Sequence, residues 1–270
     1  MSDKVTTVEE GVRKLLTVRH RAVPEFTLEP RRSGEYHDTL VWDGKRIPLF
    51  DTHFEPRLYR LAPYGEDADQ NCTLNVYSFA GSDVPLNELA YREFDIAELL
   101  LHSPIQKVTA FVNGAAANLI AVAENGACAN MDLGCTMAPG TGNQCQHRLI
   151  TRHGMACDRG AGDMIVPHQI NLYTQDSAAP AFFDDDEYYL YGLDEASVAK
   201  VLTIHAILTG ERHSGDGTLA FFEKRKIYEK DGRPFWADWY ELDARCRKAV
   251  AALFESDKLG QTVVLEEMNV

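Results

Sequence analysis

The sequence is short of positive charge. Its 27 Lys and Arg residues face 41 Asp and Glu residues, which gives a formal net charge of −14. Nucleic-acid backbones and anionic membranes bind clustered basic side chains, so this balance excludes both as the main partner. No stretch approaches the ~18 uninterrupted apolar residues of a membrane-spanning helix, and the first residues lack the apolar core of a signal peptide. We therefore expect a cytoplasmic protein.

Two short motifs are also absent. The six cysteines include no Cys-x-x-Cys pair, so we expect reduced, buried thiols and no disulfide framework. No Gly-x-Gly-x-x-Gly occurs, and the glycine-rich run 138–143 lacks the Lys-Ser/Thr of a phosphate loop. We interpret that run as a hairpin loop between two strands. The sequence by itself therefore predicts no nucleotide-cofactor site.

What the sequence does contain is one helical stretch followed by strands. The residues 84–101, VPLNELAYREFDIAELLL, have the length and apolar spacing of a helix. Five strand-like segments follow within 106–174. The dipeptides Asn113-Gly114 and Asn125-Gly126 are typical of tight hairpin turns, because they tolerate positive φ angles. One helix that leads into several hairpin-linked strands predicts an antiparallel sheet with helices on one face.

The predicted fold class is therefore α+β, with a large, mostly antiparallel, open-faced sheet. We expect helices at 85–102, 194–210 and 240–256 to pack on one face of this sheet. Residues 1–75 are taken as an N-terminal arm or small subdomain of uncertain structure, and residues 76–270 as the α+β domain.

The second face of the predicted sheet has no helix left to cover it. An open sheet face of mixed polarity is a surface for association. We therefore predict a homo-oligomer that forms through this face, with His147 or Arg148 of the strand 145–153 at the interface.

Residues 84–159 resemble a known family. The helix just described, the segment ANLIAVAENGACANMDLGC and the segment HRLITRHGMACDR are similar in order and spacing to the C-terminal domain of the Gfo/Idh/MocA (glucose–fructose oxidoreductase / inositol dehydrogenase) oxidoreductases. AVAALFESDKLGQTVVL resembles the last helix and strand of that domain, so the resemblance covers residues 76–266. It implies the substrate-binding and oligomerisation domain of a sugar or cyclitol oxidoreductase.

The sequence departs from this family in two places. The family's Rossmann domain would precede the domain, but we recognise no glycine-turn βαβ unit in residues 1–75. On the helix, the catalytic Asp and His of the family align with Glu88 and Arg92, whereas the following Asp is kept as Asp95. An arginine stays protonated and cannot accept a proton as a histidine does. The resemblance therefore implies a chain that is no dehydrogenase by itself, and NAD(P) is expected only if a Rossmann domain is supplied in trans.

Glu88, Arg92 and Asp95 are spaced four and three residues apart and so share one helix face. One interpretation is an exposed ion-pair ladder, in which a Glu–Arg pair contributes about 0.2–0.5 kcal/mol. The other is a substrate-binding pocket for a polyol. Arg92 would donate hydrogen bonds to hydroxyls or a carboxylate, and the two acids would accept hydrogen bonds from hydroxyls. Glu88 and Asp95 are also the candidate catalytic acids or bases.

A weaker candidate is a metal site at Cys145 and His147. These residues alternate along one strand and so share a face, and thiolate and imidazole are good zinc ligands. A third ligand would have to come from a neighbouring strand, for example Cys128 or Asp132. The alternative interpretation is that they are ordinary core or interface residues, and the sequence alone predicts no metal.

Three functions stay open at this point. The first, favoured by Arg92 and the missing glycine motif, is binding of a sugar, sugar acid or cyclitol, or docking onto a full-length oxidoreductase partner. The second is a carbohydrate-active isomerase or lyase that uses acid/base chemistry or a bound metal. The third is one half of a split oxidoreductase.

Overall fold

The computed structural model describes residues 5–18, 20–158, 170–175, 181–183, 192–210, 229–230 and 233–268. The helices in these ranges are α1 (Val8–Val18), α2 (Pro56–Leu61), α3 (Leu86–Leu101), α4 (Glu195–Thr209) and α5 (Trp239–Leu259). The strands are β1 (Thr27–Glu29), β2 (Thr39–Trp42), β3 (Lys45–Pro48), β4 (Thr73–Gly81), β5 (Ile105–Asn113), β6 (Ala116–Ala123), β7 (Cys128–Met137), β8 (Gln144–Thr151), β9 (Gly154–Cys157), β10 (Ile170–Thr174), β11 (Ala181–Phe183), β12 (Glu229–Lys230), β13 (Arg233–Pro234) and β14 (Val263–Val264). No helix in these ranges is long and apolar enough to span a bilayer.

The chain divides into two compact units, each made of two segments. The first comprises residues 1–59 and 185–240, and the second comprises residues 60–184 and 241–270. This division differs from the predicted boundary at residue 75. The segment that contains α4 was expected to cover the sheet, but it groups with the N-terminal residues instead.

The packing of α4 explains this difference. α4 packs against α1 and against a 3-10 turn at Asp51–Phe54. Gly11 of α1 allows the two helices to approach closely, because a Cβ at this position would lie 2.7 Å from Cγ2 of Val201. Lys200 of α4 also forms a 2.6 Å ion pair with Asp38. These contacts bury the apolar face of α4 within the first unit.

The ends of α4 agree with the predicted range 194–210. Asp194 is the N-cap residue, and its side chain accepts a hydrogen bond from the backbone N–H of Ser197 at 2.8 Å. The helix ends at Gly210, whose φ of +67° is the left-handed conformation typical of a C-terminal glycine.

The second unit is built on a large sheet. Its nine described strands lie in the order β11-β10-β9-β8-β4-β7-β6-β5-β14. Only β4 and β7 are parallel neighbours, and the other adjacent strands run antiparallel. The Asn-Gly turns lie where they were predicted, with φ values of +63° at Gly114 and +85° at Gly126. The predicted α+β class and mostly antiparallel sheet are therefore confirmed.

The glycine-rich run 138–143 differs from its prediction as a hairpin loop. It joins β7 to β8, but β4 lies between these two strands and pairs with both. The run therefore crosses the end of β4 as a connection between non-adjacent strands. The carboxylate of Asp83, just before α3, accepts a hydrogen bond from the backbone N–H of Gly140 at 2.9 Å, which holds the loop near the start of that helix.

One face of the sheet is covered by α3, which contacts β4, β5, β6 and β7. From residue 241 onward, α5 packs beside α3. Arg245 forms a 2.8 Å ion pair with Glu98, and the hydroxyl of Tyr91 donates a 2.7 Å hydrogen bond to Asp243. At its C-terminal end, α5 lies along strand β5, where Ser256 accepts a hydrogen bond from the N–H of Ala110.

In the part of the chain that the structure describes, no element covers the opposite face on β4, β5, β6 and β7, as predicted. Cys157 of β9 and Asn171 of β10 share this face but are buried. Strand pairing brings Phe111, Asn118, Asp132 and Tyr77 into one row across this face. Phe111 is 66% exposed, Ile120 48% and Tyr77 41%. These residues line a shallow hollow of about 390 Å³, together with asparagines of β4, β6 and β7.

Candidate functional site

A buried ionic cluster lies between α3 and the sheet. Glu93 and His147 are fully buried, and Asp158 is 2% exposed. The imidazole of His147 lies between the two acids. Its Nε2 is 2.8 Å from a carboxylate oxygen of Glu93, and its Nδ1 is 2.6 Å from one of Asp158. Three separate segments of the chain therefore meet at one histidine side chain.

The hairpin formed by β8 and β9 positions His147 and Asp158. A two-residue turn pairs Thr151 with Gly154, and this register continues to Arg148 and Cys157. Asp158 therefore follows directly opposite His147, and its second carboxylate oxygen accepts the backbone N–H of His147 at 2.7 Å. Gly154 is required at this turn, because a Cβ there would lie only 2.1 Å from the carbonyl oxygen of Tyr173.

The other oxygen of Glu93 connects the cluster to the surface. It accepts hydrogen bonds from the hydroxyl of Ser78 at 2.7 Å and from Nη1 of Arg92 at 2.9 Å. The Ser78 hydroxyl also lies 3.3 Å from Oδ1 of Asn143, at the end of the crossing loop. Asn143 is exposed and the Arg92 side chain is 24% exposed, so these two residues form the accessible edge of the cluster.

The electrostatics of the cluster are balanced. Burial alone would raise the pKa of Glu93, but the charges of His147 and Arg92 and its hydrogen bonds lower it to about 2. Burial alone would lower the pKa of His147, but the carboxylates of Asp158 and Glu93 raise it well above its ordinary value. His147 is therefore an imidazolium. Among the described residues of the cluster, two carboxylates are matched by one imidazolium and one guanidinium.

This protonation state limits the chemistry of the cluster. Both ring nitrogens of His147 donate hydrogen bonds to carboxylates, so neither has a lone pair with which to accept a proton. Arg92 also stays protonated. In this arrangement the described residues of the cluster can donate hydrogen bonds and present charge, but its histidine cannot act as a general base.

The predicted trio of Glu88, Arg92 and Asp95 does not form one accessible surface. Glu88 is half-buried in the first turn of α3, and Arg92 pairs with its neighbour Glu93. Asp95 is fully buried. The pKa of the Cys246 thiol in α5 is raised chiefly by burial of the thiol and next by the negative charge of Asp95. Asp95 is therefore inaccessible in this arrangement, and its role in ligand binding stays a prediction.

The predicted metal candidates lie on the covered face of the sheet. Cys145 is 4% exposed, and it groups with His147 and Asp158 so that one ligand atom from each lies within 4.8 Å of the others. The third member is Asp158, whereas Cys128 and Asp132 belong to the open face. His147 is likewise absent from the open face where the predicted oligomer interface lies, but Arg148 is on it.

Sequence reasoning missed Ser78, Glu93 and Asp158. A signal for Asp158 existed, because a two-residue turn at Arg152 and His153 fixes the register that sets residue 158 opposite residue 147. Glu93 had no such signal. Its contact with His147 depends on how α3 lies on the sheet, and helix periodicity does not reveal which strand a helix face meets.

The fold defined by these elements is α+β, with one sheet face covered by helices and one face that no described helix covers. No protein-family model matches the sequence, and no curated protein matches it either. Comparison of the structure with solved structures does find similar chains.

Three solved oxidoreductases show this likeness. An oxidoreductase from Agrobacterium radiobacter, in complex with NAD+, L-tartaric acid and magnesium, is 11% identical with a TM-score of 0.50, over 98% of this chain and 71% of that one. Levoglucosan dehydrogenase in complex with NADH and L-sorbose is 14% identical with a TM-score of 0.54, over 81% and 65%. An oxidoreductase domain protein from Kribbella flavida is 13% identical with a TM-score of 0.54, over 80% and 64%. This chain thus spans about two thirds of their length, and at such identities the likeness concerns the fold.

Proposed function

We propose that this protein is a relative of the substrate domain of sugar and cyclitol oxidoreductases that binds a small polyhydroxylated ligand or sugar acid. The binding site we propose is the accessible edge of the ionic cluster, formed by Arg92 and Asn143, with Glu88 in the first turn of the same helix. The observation that carries the proposal is the position of Arg92, whose guanidinium is partly exposed while Glu93 holds it in place.

The chemistry of this edge suits such a ligand. A guanidinium offers several N–H donors in a fixed plane and binds carboxylates or paired hydroxyls, and an amide side chain both donates and accepts. Because Glu93 holds one end of the guanidinium, less side-chain freedom is lost when a ligand binds. The solved structures with this fold support the ligand class, since two of them contain L-sorbose or L-tartaric acid.

We further propose that these residues do not carry out hydride transfer by themselves. The sequence lacks a Gly-x-Gly-x-x-Gly motif. In the described cluster, Arg92 and the doubly hydrogen-bonded His147 are both cations without a free lone pair, so neither can take the proton that alcohol oxidation releases. NAD(P) therefore enters this proposal only through a Rossmann domain that acts together with this one.

Thermal unfolding in the presence of candidate ligands tests the proposal. The panel contains sugars, sugar acids, inositols and NAD(H), each with the wild-type protein and Arg92→Gln. A ligand that binds only the folded state, at a concentration a hundred times its Kd, raises the free energy of unfolding by about 2.7 kcal/mol. We expect a sugar, sugar acid or inositol to raise the melting temperature of the wild type and to leave Arg92→Gln unchanged.

Arg247→Gln is the matched control. Arg247 is an exposed arginine of α5 that pairs with Asp243, so its replacement changes the net charge equally but lies away from the proposed site. It should keep the full ligand-induced shift. The polyol proposal would be wrong if no polyhydroxylated compound shifted the wild type, or if Arg92→Gln retained the shift. A shift with NAD(H) alone would contradict the second part of the proposal.

We also propose that two copies of the chain associate through the open sheet face. On the strands β4 to β8 the charged residues of this face are Lys107, Asp132 and Arg148, a sum of +1 in a chain of net charge −14. Electrostatic repulsion between two copies that meet through this face would therefore be small. Exposed Phe111 and Ile120 provide apolar surface that a second copy would remove from water.

Sedimentation measurements test the association. We expect the wild type to sediment as a dimer or larger oligomer and the double variant Phe111→Asp/Ile120→Asp as a monomer. Phe254→Asp is the control, because Phe254 is 40% exposed on α5 and away from the sheet face. A monomeric wild type at tens of micromolar, or a double variant that still associates, would count against this interface.

A further inference from the structure

Cys145, His147 and Asp158 form a group of buried side chains that could hold a metal ion. One ligand atom each from Cys145, His147 and Asp158 lie within 4.8 Å of one another, and none of the three residues is more than 4% exposed. Sulfur, imidazole nitrogen and carboxylate oxygen are the donor set of zinc sites, and a thiolate excludes the hard ions magnesium and calcium. We propose that these three residues bind a zinc ion.

The change in geometry that zinc requires is small. In a tetrahedral site with bonds of about 2.0–2.1 Å, nitrogen and oxygen ligands lie about 3.3 Å apart. Nδ1 of His147 and the carboxylate of Asp158 are now 2.6 Å apart, joined by a proton. If zinc replaces that proton, the nitrogen and the oxygen must move apart by about 0.7 Å, a change of the size that small side-chain rotations produce. Cys145 lies on the same strand face two residues before His147, so its sulfur approaches from the same side.

The charge of the cluster is the same with and without the ion. Without zinc, the carboxylates of Glu93 and Asp158 balance the imidazolium of His147 and the guanidinium of Arg92. Zinc adds two positive charges, and binding it releases two protons to solvent, one from Nδ1 of His147 and one from the thiol of Cys145. The sum over these described residues is unchanged, so zinc adds no net charge to them.

Glu93 completes the arrangement from the other side of the ring. A metal-bound histidine usually donates its second N–H to a carboxylate, which fixes the ring and strengthens the ligand. With zinc at Nδ1, Nε2 of His147 keeps its hydrogen bond to Glu93, whose other oxygen is held by Ser78 and Arg92. The described residues thus supply three ligands and one orienting carboxylate, which leaves a fourth position for a water molecule. The site is shielded from bulk solvent. Because its residues come from β8, the end of β9 and α3, we expect the ion to stabilise the packing of these three elements.

Cobalt titration of the metal-free, untagged protein tests this site. Co²⁺ takes the place of zinc and shows a thiolate-to-cobalt absorption band only when a cysteine sulfur is a ligand. We expect the band to saturate at one equivalent for the wild type and to disappear when zinc is added. Cys145→Ser should abolish it. Cys135→Ser, which changes another buried sheet cysteine, should leave it unchanged.

Glu93→Gln separates the orienting role from ligation. It should retain the band and weaken binding by about 10- to 100-fold, as loss of a carboxylate that accepts a hydrogen bond from a metal-bound histidine typically does. The proposal is overturned if the wild type shows no saturable band, if Cys145→Ser keeps it, or if Cys135→Ser loses it equally. An unchanged affinity in Glu93→Gln would remove Glu93 from the site. None of these outcomes bears on ligand binding by Arg92, which is measured without added metal.

Discussion

Two carboxylates in different units of this protein respond to burial in opposite ways. The pKa of Glu93, in the second unit, is lowered to about 2 despite complete burial. The pKa of Asp51, in the first unit, is raised to about 6, chiefly because burial disfavours its charge. Burial acts in the same direction on both groups. The difference comes from the partners that surround each carboxylate.

Glu93 receives direct hydrogen bonds from an imidazolium, a guanidinium and a hydroxyl. Asp51 begins the 3-10 turn that packs against α4, and the charge of Lys200 acts to lower its pKa. That lysine forms its 2.6 Å ion pair with Asp38, so its effect on Asp51 is only partial, while Glu55 and Asp38 raise the pKa further. The comparison shows that the placement of the counter-charge decides whether a buried acid stabilises the folded protein.

The largest effect is expected when the positive charge that compensates Glu93 is removed. In His147→Ala, two buried carboxylates lose the cation between them, and breaking a buried pair in this way typically costs about 3–5 kcal/mol. We expect a loss of that size in the free energy of unfolding, measured by urea denaturation with a chelator present. Gln146→Ala, the adjacent residue on the opposite sheet face, should change the stability by no more than about 0.5 kcal/mol. A similar small effect for both variants would contradict the view that the cluster is a compensated ionic site.

A second test is to remove the charge of Asp51. A folded-state pKa raised above the unfolded value means that the folded protein binds this proton more tightly. The resulting stabilisation is complete below the ordinary pKa of 3.8 and is lost as the pH rises through about 6. Asp51→Asn should therefore stabilise the protein at pH 7.5 by about 1–3 kcal/mol and change little at pH 4.

Denaturation at both pH values measures this effect, and Asp43→Asn is its control. Asp43 lies in the exposed β2–β3 turn of the same unit with a side chain that is 74% exposed, so its replacement should have little effect at either pH. If Asp51→Asn were destabilising at pH 7.5, the charged carboxylate would be making a favourable interaction, and the contrast with Glu93 would fail.

The smallest expected effect concerns an ion pair that is not buried. Arg46 of β3 forms two hydrogen bonds with Glu29 of β1, at 2.7 and 3.0 Å, and the Arg46 side chain is 55% exposed. Water screens such a pair, so Arg46→Ala should lower the free energy of unfolding far less than His147→Ala does. The loss should shrink further in 0.5 M NaCl, because dissolved salt weakens ion pairs that are exposed to solvent. A loss as large as that of His147→Ala would mean that exposure does not separate the two kinds of pair.

The parts of the fold that were predicted correctly have local causes. α3 and α4 follow apolar periodicity, and α4 ends where Asp194 and Gly210 provide its caps. The turns at Gly114 and Gly126 follow from Asn-Gly dipeptides. The candidate site was predicted less well. Arg92 lies at its accessible edge and His147 at its centre, whereas Asp95 is fully buried and Glu93 was missed.

The sequence by itself thus determined the helices, the hairpin turns, the alternation of each strand and the open sheet face. These features depend on residues within a few positions of one another. The tertiary structure alone decided that α4 joins the N-terminal segment, that β4 lies between β7 and β8, and that Glu93 meets His147. The physical reason is that periodicity orients a side chain only relative to its own helix or strand. The charge or ligand that it meets comes from a segment tens of residues away, which is fixed only when the elements pack.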